Sequence, residues 1–256
     1  MRKIAFAVLV AAALNFGLDQ SASAANYNWS GWYLGLNAGG NWGTSAATTT
    51  VQPSTFPAGF GSCPACRSDI AAIGNQKFDT SGFTGGVQGG YNWQSGNLLV
   101  GIELDYQYFR SAGSISTTGF APSLPGLVTV NTSVSTDWLF TARPRLGAVA
   151  NNWLFYGTGG LAVTKLKATW HYHDTLTTPA AENAAASATK TGWTIGGGIE
   201  TALPGNWLLG GEYLYVKFGS ISASEFLKPG GAFLDTFNNT ADLKSSIVRA
   251  RFSKKF

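Results

Sequence analysis

The sequence predicts an all-β chain: an eight-stranded antiparallel up-and-down barrel, apolar outside and polar inside, built to cross a membrane. Three observations predict it. Apolar and polar residues alternate with a period of two in segment after segment, the pattern of a strand with two unlike faces. The 256 residues include 33 glycines and 13% aromatics but only 12% charged residues, which suits many strands joined by turns. Short turn signals alternate with long unpatterned segments, as in a barrel with short connections at one rim and long ones at the other.

Other classes are excluded by the same composition. A mean hydropathy of +0.04 is too low for a bundle of membrane helices, and so many aromatics argue against disorder. The net charge of +4 is small, and no Lys/Arg-rich block appears outside the two ends, so nucleic acid is not an expected partner.

The chain opens with Arg2 and Lys3, an apolar run Ile4 to Leu14, and Ala22-Ser23-Ala24. Residues 1–24 read as a secretory signal peptide, with 25–256 as one barrel domain. The apolar run falls short of the ~20 residues that a spanning helix needs; a retained N-terminal helix is the alternative.

The first expected strand is Trp32 to Trp42, with Trp32, Leu34, Leu36, Ala38 and Trp42 on one face. Gly43 to Ser81 has no sustained period and reads as a long loop. The second strand, Gly82 to Trp93, ends at the tight turn Gln94-Ser95-Gly96-Asn97. The third, Leu98 to Phe109, alternates most clearly: Leu98, Val100, Ile102, Leu104, Tyr106 and Tyr108 against Leu99, Gly101, Glu103, Asp105 and Gln107. A second loop covers 110–135. The fourth strand, Thr136 to Val149, holds Thr141, Arg143 and Arg145 on its inward row. Its Pro144 cannot donate to a ladder, so a bulge or break is expected there. The fifth strand, Trp153 to Leu166, has an ambiguous phase. After a third loop, 167–188, come strands Thr189 to Leu203 and Trp207 to Phe218, joined by Pro204-Gly205-Asn206. A fourth loop, 219–244, leads to the last strand. Asn97 to Glu103 also echoes Asn206 to Glu212, placing a glutamate at one height on the third and seventh strands.

The C-terminal strand has an almost wholly apolar row, Val248, Ala250, Phe252 and Phe256, interrupted only by Lys254. Its other row carries Arg249 and Arg251. That row, ending on an aromatic residue, resembles the assembly signal of Gram-negative outer-membrane barrels. Trp29-Ser-Gly-Trp-Tyr-Leu-Gly, Gly85-Gly-Val-Gln-Gly-Gly-Tyr-Asn-Trp93, Arg145-Leu-Gly and Tyr156-Gly-Thr-Gly-Gly-Leu-Ala162 extend the likeness. Together they resemble the small outer-membrane β-barrel family that includes opacity-type and immunogenic surface proteins, porin-family members and the outer membrane protein A barrel. The resemblance implies an integral outer-membrane location, four long extracellular loops, three short periplasmic turns, and a surface or envelope-stabilising role. It also implies recognition of the last strand by the barrel assembly machinery.

Counted from the expected turns, Glu103, Glu212 and Arg145 sit about six residues up, Asp105 and Arg143 about eight, and Arg249 and Arg251 at similar heights, with Glu200 lower. At ~3.3 Å rise and ~40° tilt, these inward groups fall in a belt under ~10 Å tall. The expectation is an ion-pair network that plugs the lumen, because eight strands leave an interior that side chains can fill. Independent charges in a wet lumen are the alternative. A catalytic carboxylate pair lacks a nucleophile or cleft, so no catalytic, cofactor or metal residue is assigned.

Cys63-Pro-Ala-Cys66 has redox-motif spacing but lies in a polar Gly/Pro-rich loop. A small loop disulfide is the reading, with a reactive dithiol or a metal site as alternatives. His171 and His173 share a face of an extended segment, as a divalent metal would need, but no third ligand set is close in sequence and ordinary exposed loop histidines are the favoured reading. Lys165, Lys167 and Lys190 fall near the outer rim, where they could meet lipopolysaccharide phosphates or simply be solvated. Trp29, Trp32, Trp93, Trp153 and Trp207 near one rim, and Trp42, Trp138, Trp170 and Trp193 towards the other, are the expected interfacial girdles.

The expected function is that of a monomeric structural and surface-interaction barrel, with outer-membrane lipid around it and an extracellular ligand or host surface at its loops. The alternatives are a narrow porin for small solutes, a lipid-modifying membrane enzyme and a soluble lipocalin-like barrel.

Overall fold

Antiparallel strand dominates the computed structural model, which describes residues 27–53, 60–124, 126–176, 181–227 and 235–256. The signal-peptide expectation for 1–24 lies outside the described residues. Eleven strands are present among them: β1 (Gly31–Val51), β2 (Gln76–Ser95), β3 (Leu98–Phe109), β4 (Ala112–Ala121), β5 (Gly126–Ala150), β6 (Trp153–Asp174), β7 (Ala181–Leu203), β8 (Trp207–Phe218), β9 (Ile221–Leu227), β10 (Asp235–Ala241) and β11 (Lys244–Lys255). One α-helix, α1 (Pro64–Gly74), interrupts them.

The ladders follow chain order. β1 pairs with β2, β2 with β3, β3 with β5, β5 with β6, β6 with β7, and β7 with β8. β8 then pairs with β11, and β11 runs beside β1 from Tyr33↔Lys255 to Thr44↔Lys244. β4 extends the line of β3 along β5, and β10 extends the line of β11 along β1. β9 pairs with β10. Tight turns join β2 to β3, β5 to β6 and β7 to β8. Their backbones need positive φ at Gly96, Asn151, Gly205 and Asn206, residue types that tolerate it.

Period-two alternation sorts the side chains. On β3, Leu98, Val100, Ile102, Leu104, Tyr106 and Tyr108 are 47–54% exposed, whereas Leu99, Glu103, Asp105, Gln107 and Phe109 are buried. Apolar residues therefore face out and charged ones face in, the reverse of a soluble barrel. No helix among the described residues is long and apolar enough to cross a membrane.

The interior is layered. Trp29, Leu99, Val149, Leu154 and Leu208 fill the end with the tight turns. The charged side chains lie above them. Phe109, Leu139, Leu166, Leu214, Val216, Phe218 and Ile247 form an apolar layer above the charges. At the far end α1 inserts Cys66 and Ile70 among Val128, Val130, Tyr172 and Phe237.

Several expectations are corrected here. The segments read as long loops are largely strand. β1 continues to Val51, β2 starts at Gln76, β4 and the first part of β5 occupy most of 110–135, and β6 and β7 most of 167–188. β9 and β10 lie within 219–244. Thr-, Ser- and Ala-rich alternation carries too little hydrophobic contrast to signal a strand. The break expected at Pro144 is present on one side only: the β5–β6 ladder lapses between Ala142↔Leu161 and Arg145↔Thr158, and a register shift that was not expected lies between Thr136 and Leu139. On the other side Pro144 keeps register with Ile102, and its carbonyl accepts a 2.8 Å hydrogen bond from the Thr158 hydroxyl. Trp29 and Trp170 are fully buried, so they belong to the interior rather than to a girdle.

β1 and β11 approach closely where Gly39 faces Arg249. A Cβ at Gly39 would lie 2.0 Å from the Val248 carbonyl oxygen and 2.6 Å from Arg249 Cα. Gly39→Val is expected to cost at least the ~1–3 kcal/mol of an overpacked core. The check is the urea midpoint of the refolded protein, read by heat-modifiable gel mobility.

Candidate functional site: a buried charge belt beneath a capped end

Four arginines and four carboxylates converge between the two apolar layers. Register brings them together: Glu103 lies directly across from Arg143 on β3 and β5, and Glu212 across from Arg249 on β8 and β11. Opposite charges directly across a ladder attract, whereas like charges would repel. The structure places Glu103, Asp105, Arg143, Arg145, Glu200, Glu212, Arg249 and Arg251 all inside, none more than 4% exposed.

The contacts interlock. The Arg143 guanidinium reaches Glu103 at 2.6 Å, Asp105 at 2.8 Å and Glu212 at 3.2 Å. Arg145 reaches Glu200 at 2.9 Å and Glu103 at 3.4 Å. Arg249 holds Glu212 at 2.6 Å and Asp105 at 3.3 Å. Arg251 joins Glu103, lies 2.7 Å from Glu212 and 3.3 Å from Glu200. Four positive and four negative groups leave the belt without net charge.

Neutral groups complete it, and these were not among the expected residues. The Tyr33 hydroxyl donates to Glu103 at 2.7 Å and accepts from Arg145 at 2.9 Å. The Tyr156 hydroxyl donates to Glu212 at 2.9 Å and accepts from Arg251 at 2.6 Å. Thr141 donates to Asp105 at 2.6 Å, and Gln107 accepts from Arg249 at 2.9 Å. The Arg145 guanidinium also lies over the Tyr156 ring, 4.0 Å from its centroid. The inward row of the first strand exposes Tyr33 to sequence reading. Tyr156 falls in the segment whose two rows are both apolar, so no phase reveals it.

The outward row of β11 carries Val248, Ala250, Phe252 and Phe256, the last two 44% and 75% exposed. Phe252 stacks on Trp207 at 4.8 Å, Trp32 packs edge-on against Tyr91, and Tyr91 against Trp93, all near the tight turns. Tyr106–Trp138 and Trp193–Tyr215 pairs lie higher. Lys165 and Lys167 face outward, with Lys167 paired to Asp137 at 2.5 Å, whereas Lys190 lies on the inward row of β7.

Cys63 and Cys66 are joined as a disulfide, but not in a loop: Cys63 caps the N-terminus of α1. A Pro after the first cysteine is well placed to start a helix, and that signal was legible. His171 and His173 face outward on β6, and the His171 ring meets the Asn183 side chain at 2.5 Å. No cluster of metal-ligating side chains occurs among the described residues.

Above the belt, Glu182 on β7 is buried. One carboxylate oxygen accepts from Asn239 at 3.1 Å, and the other has no hydrogen-bond partner among the described residues. Burial, with Glu225 nearby, pushes its pKa up to about 7. A carboxyl raised above its unfolded value binds the proton more tightly when folded, so stability falls as pH rises from about 4.5 through 7. Glu182→Gln is expected to flatten that fall, measured as unfolding midpoints across this pH range.

Removing one member of the belt leaves a buried charge uncompensated. Glu212→Gln, which strips partners from Arg143, Arg249 and Arg251, is expected to cost ~3–5 kcal/mol in denaturant unfolding. A loss below ~1 kcal/mol would mean that the groups are hydrated and independent.

A family model described as an outer membrane protein beta-barrel domain matches residues 6–256. The chain is 36% identical over 202 residues to the 31 kDa outer-membrane immunogenic protein of Brucella melitensis biotype 1, covering 78% of this chain and 75% of that one. It is 31% identical over 141 residues to the 22 kDa outer membrane protein of Rhizobium leguminosarum bv. viciae, 55% of each chain. Among solved structures, outer membrane protein OprG from Pseudomonas aeruginosa aligns with a TM-score of 0.47 at 11% identity, over 90% of this chain and 98% of that one. The outer membrane protease OmpT from Escherichia coli aligns with a TM-score of 0.42 at 6% identity, over 91% and 99%. With its outward apolar rows and inward charges, the chain belongs to the outer membrane protein β-barrel family and resides in the bacterial outer membrane.

Proposed function

We propose that the chain is a monomeric, non-catalytic structural and surface-interaction barrel of the outer membrane, with its lumen plugged by the charge belt. In this reading the eleven strands act as eight passes: β3 with β4, β8 with β9, and β10 with β11 each form one bent pass. The tight turns face the periplasm, and the far ends with α1 project outside the cell.

The observation that carries the reading is the layering. The neutral belt is closed below by Trp29, Leu99 and Leu154 and above by Leu139, Leu166, Leu214 and Phe218. A water-filled conduit would need a polar wall along its length, so the narrow-porin reading is disfavoured. The carboxylates that converge each face an arginine at 3.3 Å or less, which argues against a general base among them.

Partners follow from the same surfaces. The outward apolar rows would contact lipid, and Lys165 would meet lipopolysaccharide phosphates. The row Val248, Ala250, Phe252 and Phe256 would present the last strand to the barrel assembly machinery. The far-end strands and α1 would meet extracellular ligands or host surfaces, in keeping with a relative named as immunogenic.

Planar-bilayer recording on the refolded protein tests the plug. The expected outcome is a membrane without steady large conductance; stable channels of porin size would overturn it.

A further inference from the structure

The disulfide at the start of α1 clips nothing distant. Cys63 and Cys66 are three residues apart, so closing that small ring restricts the unfolded chain little. The helix is held by other groups. Ile70 is buried in the far-end core, the Ser123 amide donates to Asp69 at 2.8 Å, and Arg67 donates to the Gly61 carbonyl at 2.8 Å. A structural role therefore leaves the pair largely unexplained.

The two sulfurs differ in their surroundings. Cys63 is the N-cap and half-buried, whereas Cys66 is buried within the first turn. The Cys66 amide donates to Cys63 Sγ at 3.1 Å. Helix N-termini stabilise negative charge, and amide donors aimed at sulfur favour thiolate over thiol. Cys66 Sγ lies 3.7 Å from the Ser123 carbonyl oxygen, which is placed to accept a thiol hydrogen there. Cys63 is thus the less buried of the two, at the rim of the far-end core, and its sulfur is suited to leave as an anion. The other is sheltered and suited to hold a proton.

We propose that Cys63–Cys66 is a thiol–disulfide exchange centre that accepts two electrons from small thiols of the glutathione class. A thiolate attacks Cys63 Sγ, the bond to Cys66 breaks, and its electron pair leaves on Cys66 Sγ, which takes up a proton. A second thiolate attacks the external sulfur of the mixed disulfide and releases Cys63 as a thiolate. Two external thiols become one external disulfide, and the protein disulfide becomes a dithiol. In the orientation proposed above, the centre faces outside the cell, where disulfides persist and Cys63 meets soluble thiols. Disulfides are more labile where one end is open to solvent, and Cys63 is the less buried end of this one.

The test uses the full chain folded in detergent micelles, with folding followed by heat-modifiable gel mobility. Wild-type protein is exposed to reduced glutathione, quenched with acid and weighed intact. Cys66→Ala and Cys63→Ala are exposed to oxidised glutathione. The expected result is reduction of the wild-type pair while the protein stays folded, one glutathione on Cys66→Ala, and loss of that adduct in Cys63→Ala. Opening of the wild-type disulfide only under denaturant would overturn the proposal, as would equal labelling of both single-cysteine variants. If either variant fails to fold, native reduction of the wild type decides alone.

Discussion

Everything inside this protein answers to one constraint: charges shut away from water between greasy layers must cancel. Transferring an isolated ion into such surroundings costs several kcal/mol, and mutual attraction offsets that only with good geometry and further hydrogen bonds. The belt meets those terms. Each carboxylate faces more than one guanidinium, and Tyr33, Tyr156, Thr141 and Gln107 take up further hydrogen bonds. A pair would fix two strands relative to one another. A network drawn from β3, β5, β7, β8 and β11 ties most of the circuit at one height.

The exterior follows from the same arrangement. With the charges committed inward, the outward rows are free to be apolar, and aromatic pairs bracket that zone above and below. The strands do not stop at the upper aromatic pairs. β5, β6 and β7 run 25, 22 and 23 residues, well beyond the ~9–11 that a crossing needs, so sheet continues past the bilayer and is capped by α1.

How much of this was legible depended on contrast. Where apolar and charged residues alternate, as in Leu98 to Phe109, the strand and its phase could be read from the sequence. The belt residues were nameable because their charges fall on the row opposite a run of apolar residues, as Glu103 and Asp105 do against Leu98 to Tyr108. Beyond the membrane small residues occupy both rows, as in Ala184 to Ala188, and the signal vanishes although the ladder persists. The helix at Pro64 was missed although its proline start was in plain view, because eleven residues with mixed faces carry little periodicity to confirm it. Trp29 and Trp170 were misplaced because a tryptophan near a rim reads the same whether it faces lipid or closes the core.

The pairing of first strand with last joins two requirements in one segment. Arg249 and Arg251 are carried by the final pass, and Glu103 and Asp105 by a much earlier one. Without the final pass, the acids have only Arg143 and Arg145 to answer them, and two positive charges of the complete belt are missing. Ring closure and charge neutralisation therefore depend on the same strand. A nascent chain halted before its C-terminus would be left with an open edge and an anionic interior at the same moment.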